Sequence, residues 1–219
     1  MALKNTRSQT EILEITRIAL ENVESNPVIK PLMEALGYNT AKIDEGKALL
    51  STAKTLYNQS QELEDTKLNA YKAFEDKRVE IDSTYSTDRK KAKVVFKTDA
   101  VVFRELGLKG SLPRTYVKWL ETVSLFYNTL NAQPDVLAKL ATLQITEQHV
   151  TDQIAALNEL ETLRAAYIQS KGNSQNATKT KNKAFVELEK WMSDFYAIAR
   201  IALEGDPQLL ESLGKMVKS

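Results

Sequence analysis

The stretch KALLSTAKTLYNQSQELEDTKLNAYKAFEDKRVEIDSTYSTDRKKAKVVFKTDAVVFREL, residues 47–106, decides the fold of this chain. It contains no glycine and no proline, the residues that most readily interrupt an α-helix, and it is flanked by Gly46 and Gly107. As one unbroken helix it would be about 90 Å long, at ~1.5 Å per residue. The pattern predicts a long helix, and it leaves open a bend or hairpin at two polar sites, Asp65-Thr66 and Ser83–Asp88.

Residues at seven-residue spacing form two rows along this segment. One row is Ala53, Ser60, Lys67, Phe74 and Ile81, and the other is Leu49, Leu56, Leu63 and Ala70. Two such rows are typical of the seam along which long helices pack in a coiled coil. Because Ser60 and Lys67 are polar, the pattern favours a helical bundle over a regular two-stranded rod.

Composition favours the same fold class. The chain has 219 residues, of which 42% are hydrophobic, with only seven glycines and five prolines. All-β folds need many turns, and turns need these two residues. We therefore predict an all-α protein: an elongated bundle of long, amphipathic, antiparallel helices with short, proline-initiated capping helices.

Start and stop signals outline the other helices. Ser8 or Thr10 can cap the first, and Gly37 ends a short second helix with Ile29, Leu32, Met33 and Leu36 inward. Thr40 is a candidate cap for the long segment, residues 114–131 form a further helix, and Thr146 can cap a second long segment. The polar stretch 169–183 predicts an interruption, with a turn at Lys171-Gly172-Asn173-Ser174. A last short helix, with Leu209, Leu210 and Leu213, precedes Gly214.

The two halves of the chain match at one constant offset. Pro27 and Pro134 lie 107 positions apart (134 − 27), and the same offset joins further identical pairs. These pairs are Leu13 with Leu120, Leu36 with Leu143, Leu50 with Leu157, Leu56 with Leu163, Val79 with Val186, Glu80 with Glu187, and Leu106-Gly107 with Leu213-Gly214. We predict two helical repeats, 1–109 and 110–219, and leave open one continuous bundle.

A shorter pattern recurs around Pro27, Pro134 and Pro207, where a helix end is followed by proline and a small leucine-rich helix. Such a helix can cover the exposed carbonyls and core at the end of a longer one. The alternative, a peptide-docking element, is less favoured.

Several classes of function are disfavoured by composition. The formal net charge of +1 gives no reason to expect nucleic-acid binding. Without cysteine, disulfides, thiolate zinc sites, iron–sulfur clusters and thiol nucleophiles are impossible. The first residues lack the apolar run of a signal peptide, and no stretch reaches the ~18 apolar residues of a membrane span. A cytoplasmic protein is therefore expected.

No catalytic, cofactor-binding or metal-binding residue stands out. His149 is the only histidine, with Asp152 one helical turn away and Glu147 nearby. Without further partners, it is interpreted as a surface residue of an amphipathic helix. Glycine-rich phosphate loops and the Gly-x-Ser-x-Gly elbow are missing from the sequence. We therefore predict a protein that is not an enzyme and needs no cofactor.

Two basic clusters and a set of aromatic residues allow more than one interpretation. Arg89, Lys93 and Lys97 fall on one helical stripe, whereas Lys179, Lys181 and Lys183 splay around a helix. Phosphate or anionic-lipid binding is possible at such clusters, but a solvated face is favoured. The aromatic residues at helical spacing are interpreted as core, or as the buried face of an assembly, rather than as a ligand cage: Trp119, Phe126, Tyr127, Trp191, Phe195 and Tyr196.

Three functional hypotheses follow. The leading one is a structural or protein-interaction protein that presents long helical faces to a protein partner or to copies of itself. The second is a membrane-active, toxin-like helical protein, suggested by the basic and then apolar stretch 92–103. The third is a small-molecule-binding bundle with a pocket between Trp119 and Trp191.

Overall fold

The computed structural model describes residues 7–215. Within this range the chain forms eight α-helices and one short 3-10 helix, and no strand. The helices are α1 (Gln9–Ser25), α2 (Ile29–Ala35), α3 (Thr40–Val95), α4 (Ala100–Glu105), α5 (Tyr116–Ala132), α6 (Pro134–Ala138), α7 (Glu147–Ala202) and α8 (Leu209–Ser212), with the 3-10 helix at Ala141–Leu143 between α6 and α7. The predicted all-α fold class is confirmed.

The helices group into two compact units. The first unit is formed by Met1–Asp65 with Gly172–Ser219, of which 7–65 and 172–215 are described, and the second unit by Thr66–Lys171. Each unit has its own hydrophobic core, built from one part of α3 and one part of α7 together with shorter helices. Each unit therefore combines segments from both predicted repeats, 1–109 and 110–219. That these repeats are related in sequence stays a prediction.

Within each unit the two long helices run antiparallel. In the first unit Tyr57 meets the ring of Phe185 and Glu64 meets Ser174. In the second unit Lys77 pairs with Glu159, while Asp88 contacts a residue ten positions earlier in α7, His149. In both units, later residues of α3 contact earlier residues of α7, as expected for antiparallel helices.

The helix bounds recur at the offset of 107. α5 begins and ends 107 positions after α1 (116 − 9, 132 − 25), and α7 begins and ends 107 positions after α3 (147 − 40, 202 − 95). Left-handed backbone recurs as well, at Gly37 and Gln144 and at Gly107 and Gly214. Core positions coincide at the same spacing, including Leu20 with Tyr127, Val23 with Leu130, Met33 with Leu140, Leu188 with Ile81, Met192 with Tyr85, and Ala199 with Ala92. Equivalent positions in the two units can therefore be compared residue by residue.

The long helix α3 begins earlier and ends earlier than predicted. Asn39, not Thr40, caps it, because the Asn39 Oδ1 accepts from the Lys42 amide at 3.1 Å. Gly46 lies inside α3 rather than before it, and a Cβ built there would lie 2.5 Å from the Trp191 ring. The small residue thus makes room for a large indole. The helix continues through both predicted weak sites and ends at Val95, so that the predicted stretch to residue 106 is divided into α3 and α4.

The predicted turn at Lys171-Gly172-Asn173-Ser174 is wrong, because α7 is continuous from Glu147 to Ala202. A glycine inside a helix costs only about 1 kcal/mol, and packing compensates for it here. Ser174 is only 4% exposed, and its hydroxyl donates to Glu64 Oε2 at 2.7 Å. Tertiary contacts with α3 therefore hold this polar stretch in helical form.

Several predicted helix ends are confirmed. Ser8 and Glu11 form a capping box at α1, Gly37 follows α2 with a φ of 89°, and Thr146 Oγ1 accepts from the His149 amide at 3.2 Å. The predicted inward face of α2 is only half right. Ile29 and Met33 are buried, whereas Leu32 and Leu36 are exposed. Because α2 is short, it covers the core only with side chains that lie one helical turn apart on a single row.

Candidate functional site

A buried carboxylate lies at the centre of a polar cluster in the second unit. Asp88, in the second part of α3, has a side chain only 2% exposed. The Tyr127 hydroxyl from α5 donates to Asp88 Oδ2 at 2.9 Å, and His149 Nε2 from the first turn of α7 lies 2.5 Å from the same oxygen. Lys91 Nζ lies 3.6 Å from Oδ1. We call Asp88, Tyr127 and His149 the Asp88 cluster.

The environment of the cluster keeps Tyr127 in its phenol form. Burial raises the pKa of Tyr127 far above its ordinary value, and the neighbouring Asp88 charge raises the pKa further. A protonated phenol is a donor, and a carboxylate can only accept. The buried carboxylate is therefore matched with donors from two other helices, as a buried charge requires.

The predicted position of His149, on the surface of an amphipathic helix with Asp152 one turn away, differs from its position in the structure. Its side chain is 26% exposed and faces Asp88 on α3, while Asp152 accepts instead from the Gln148 amide group at 2.8 Å. A signal for this pairing exists in the sequence. Asp88 falls on the same helical face as the buried Ile81, Tyr85 and Ala92, which is an unusual place for a charge.

The predicted basic stripe divides in the structure. Arg89 is buried, and its Nη2 donates to the carbonyls of Leu108 at 3.1 Å and Gly110 at 3.0 Å. It thereby fastens the segment between α4 and α5 onto α3, while its Nε has no hydrogen-bond partner. Lys97 is exposed, and burial followed by the Arg89 charge lowers the pKa of Lys93. Arg89 is thus a structural residue and not part of a solvated face.

The first unit has a different chemistry at the equivalent place. The counterparts at the offset of 107 are Phe195 for Asp88 (195 − 107), Leu20 for Tyr127 (127 − 107) and Lys42 for His149 (149 − 107). Phe195 and Leu20 are buried in the core of the first unit, and Lys42 pairs with Glu45 on its surface. An apolar core therefore occupies in one unit the place that the Asp88 cluster occupies in the other.

A second candidate is an exposed row on the part of α7 that belongs to the first unit. Lys179, Lys183, Val186 and Lys190 are exposed and follow the spacing i, i+4, i+7, i+11, which places them on one side of the helix. We call this row the α7 face. The predicted splaying of the lysines holds for Lys181, whose Nζ lies 5.9 Å from the centre of the Tyr57 ring.

The aromatic residues predicted to be core are buried or partly buried. Trp119 belongs to the second unit, where its Nε1 donates to Asp82 Oδ1 at 2.6 Å. Trp191 belongs to the first unit and stacks on Phe195, with ring centres 5.6 Å apart. The two indoles that the small-molecule hypothesis used are thus packed within separate cores.

The cluster joins three helices, α3, α5 and α7, through the contacts of Asp88 with Tyr127 and His149. Within residues 7–215 the His149 ring contacts the Asp88 carboxylate, and the His149 backbone amide donates to Thr146 Oγ1. Across the same range no group of three or more acidic or histidine side chains could hold a metal ion. Nor does any helix in the described chain combine the length and apolarity needed to cross a bilayer.

Comparison with protein-family models, with curated proteins and with solved structures gave no match.

Proposed function

We propose that this chain is a non-enzymatic helical protein, built from two related repeats that pack with coiled-coil seams, and that it binds a protein partner through the α7 face. The observation that carries the proposal is an exposed valine within a row of unpaired lysines. Val186 is 66% exposed, and none of Lys179, Lys183 and Lys190 forms an ion pair within residues 7–215.

The shape and charge of the α7 face favour a particular partner. A shallow groove of about 500 Å³ is lined by Lys179, Asn182, Lys183, Val186 and Glu187. An amphipathic helix can dock an apolar side chain against such an anchor, and acidic side chains on its flanks would meet the lysines and speed the encounter. The partner we infer is an acidic amphipathic helix, from another protein or from a second copy of this chain.

The second unit supplies a matched control surface. At the offset of 107 the row is Lys72, Asp76, Val79 and Ser83, and Lys72 and Asp76 form an ion pair with each other. Val79 is exposed like Val186, but the charges around it are already balanced. The same apolar anchor is thus present twice, with free positive charge beside only one of the two.

The test is titration of a synthetic acidic amphipathic peptide onto the full chain, combined with light scattering on a sizing column and a turnover screen. We expect binding that weakens steeply with salt and that Val186→Glu or Lys183→Glu reduces at least tenfold, whereas Val79→Glu leaves it unchanged. Equal loss from Val79→Glu, or a compact monomer that hydrolyses a generic ester or phosphate, would contradict the proposal.

A second candidate is binding to an anionic membrane. The exposed Val94, at the end of α3, and Val101, in α4, lie within four residues of the exposed Lys97 in the sequence. Apolar side chains beside lysines suit a headgroup surface. Flotation with anionic vesicles at moderate salt distinguishes the two candidates, because absence of binding there removes the membrane hypothesis.

A further inference from the structure

We infer that the two halves of the chain carry complementary pairing surfaces, so that each half fits the other and fits a second copy of itself poorly. The inference rests on the proposed duplication. For this purpose the halves are 1–111 and 112–219, divided in the segment between α4 and α5. In each unit one half supplies part of α3 and the other supplies part of α7.

One determinant of which halves pair lies in the second unit. Asp88 comes from the N-terminal half, whereas its donors Tyr127 and His149 come from the C-terminal half. If two N-terminal halves paired, Asp88 would face Leu20 in place of the phenol and Lys42 in place of the imidazole. The buried carboxylate would lose a neutral donor to an apolar side chain, which is unfavourable.

Pairing of two C-terminal halves would fail at the same place for the opposite reason. Phe195 would then take the position of Asp88 against Tyr127 and His149. The Tyr127 hydroxyl is fully buried, and it would lose its acceptor. A buried donor without an acceptor disfavours the pairing.

The first unit provides the second determinant. Trp191 from the C-terminal half lies flush on Gly46 from the N-terminal half, where even a Cβ would come within 2.5 Å of the ring. In a pair of C-terminal halves the counterpart of Gly46 is Gln153 (153 − 107), whose side chain would collide with the indole. In a pair of N-terminal halves the counterpart of Trp191 is Thr84 (191 − 107), which would leave a gap against Gly46.

Both units therefore favour the mixed pair, which is formed by one N-terminal and one C-terminal half. Each unit disfavours a pair of two N-terminal halves and a pair of two C-terminal halves. Such discrimination combines attraction to the correct partner with steric and polar conflicts against the wrong one. In the intact chain these surfaces favour pairing of an N-terminal half with a C-terminal half and disfavour association of two molecules through like halves.

The test keeps both halves present throughout. A protease site inserted after Ser111 in the full chain is cleaved after folding, and the nicked protein is unfolded in urea, refolded and analysed by native mass spectrometry. We expect the mixed pair to exceed each pair of like halves by about tenfold or more. Random proportions, in which the mixed pair is only twice each like pair, or failure of the halves to recombine, would overturn the inference.

Two substitutions test the assigned residues. Asp88→Phe gives the N-terminal half the phenylalanine found at the equivalent place in the first unit, and should raise the share of N-terminal pairs several-fold. Gln153→Gly removes the collision with Trp191 and should raise the share of C-terminal pairs. Lys90→Ala, at an exposed position of α3, is the control and should change neither.

A mixed pair that predominates equally in all four proteins would show that other residues carry the discrimination, and it would refute the roles assigned to Asp88 and Gly46. Peptide binding to the α7 face is measured on the uncleaved chain, so failure of that assay and failure of the pairing assay are separate results.

Discussion

The two compact units place different chemistry at one equivalent position of their cores. The first unit buries Phe195 among apolar residues, whereas the second buries Asp88 with donors from Tyr127 and His149. The first unit shows that this helix arrangement can be built around an apolar core. The Asp88 cluster of the second unit adds directional hydrogen bonds, which determine which side chains pack against each other. Substitutions at Phe195 and Asp88 therefore compare what an apolar and a polar side chain contribute at the same place.

The largest effect is expected from Phe195→Ala. Truncation of a buried phenylalanine removes apolar contacts and leaves a cavity, which costs about 3–5 kcal/mol. Chemical unfolding monitored by circular dichroism gives the loss of free energy, and hydrogen exchange locates it. Exchange should rise mainly in 7–65 and 172–215. A change below about 1 kcal/mol would show that this ring is not a core residue.

Asp88→Ala should cost somewhat less, about 2–4 kcal/mol, because the buried Tyr127 hydroxyl and the His149 ring lose their acceptor. Hydrogen exchange should rise mainly in 66–171. Asp88→Asn keeps one acceptor oxygen and is the matched control, with an expected loss of about half as much. If the alanine variant were as stable as the parent, the hydrogen bonds of the Asp88 cluster would have no energetic role.

Gly46→Ala and Gly172→Ala should have opposite effects, although both lie inside a long helix. A Cβ at Gly46 collides with the Trp191 ring, whereas a Cβ at Gly172 meets nothing within 4 Å. We expect Gly46→Ala to lose about 1–2 kcal/mol despite the better helix propensity of alanine. Gly172→Ala should gain about 0.5–1 kcal/mol. Thermal melts of the two variants, side by side with the parent, decide the question, and two stabilised variants would refute the close packing at Gly46.

The smallest effect concerns alkaline pH. Burial raises the pKa of Tyr196 to about 12, from an ordinary value of 10.0, and its hydroxyl donates to the Leu213 carbonyl at 2.7 Å. The folded state retains the phenolic proton more strongly than the unfolded state. Its contribution to stability is therefore complete below pH 10 and is lost as the pH rises from 10 towards 12.

Tyr196→Phe isolates this contribution. Below pH 10 the variant should be less stable by about 1 kcal/mol, because the hydrogen bond is missing. Between pH 10 and 12 the difference from the parent should shrink and then reverse in sign, since phenylalanine does not ionise and a pKa raised from 10.0 to about 12 is worth roughly 2–3 kcal/mol to the parent. A difference that is constant across this range would mean that Tyr196 ionises equally in the folded and unfolded states.

The sequence predicted helix type and many helix ends, because these depend on local signals. The helix ends depend on residues next to them in the chain, such as Ser8, Gly37 and Thr146. The predicted heptad row of α3 is buried at Ala53, Ser60, Phe74 and Ile81. The continuity of α7 through Gly172 could not be predicted in this way. It depends on the contact of Ser174 with Glu64, 110 positions away.

The Asp88 cluster escaped prediction for the same reason. Its members are 22 to 61 residues apart, so no local spacing joins them. The offset of 107 could have pointed to it, since the counterpart of Asp88 is a phenylalanine and the counterpart of Tyr127 is a leucine. Two positions that are apolar in one unit, Phe195 and Leu20, are thus polar in the other, and they mark the place where the two units differ.

The central claim is that each compact unit is assembled from both halves of the sequence. Carbodiimide cross-linking joins amines and carboxylates that are in direct contact, and Lys77 Nζ lies 2.9 Å from Glu159 Oε2. The Lys47–Glu24 ion pair, formed within the N-terminal half, is the positive control. In the monomer fraction the account predicts a cross-linked peptide pair that joins Lys77 to Glu159. Cross-links confined to 1–109 and to 110–219, with the control pair present, would contradict it.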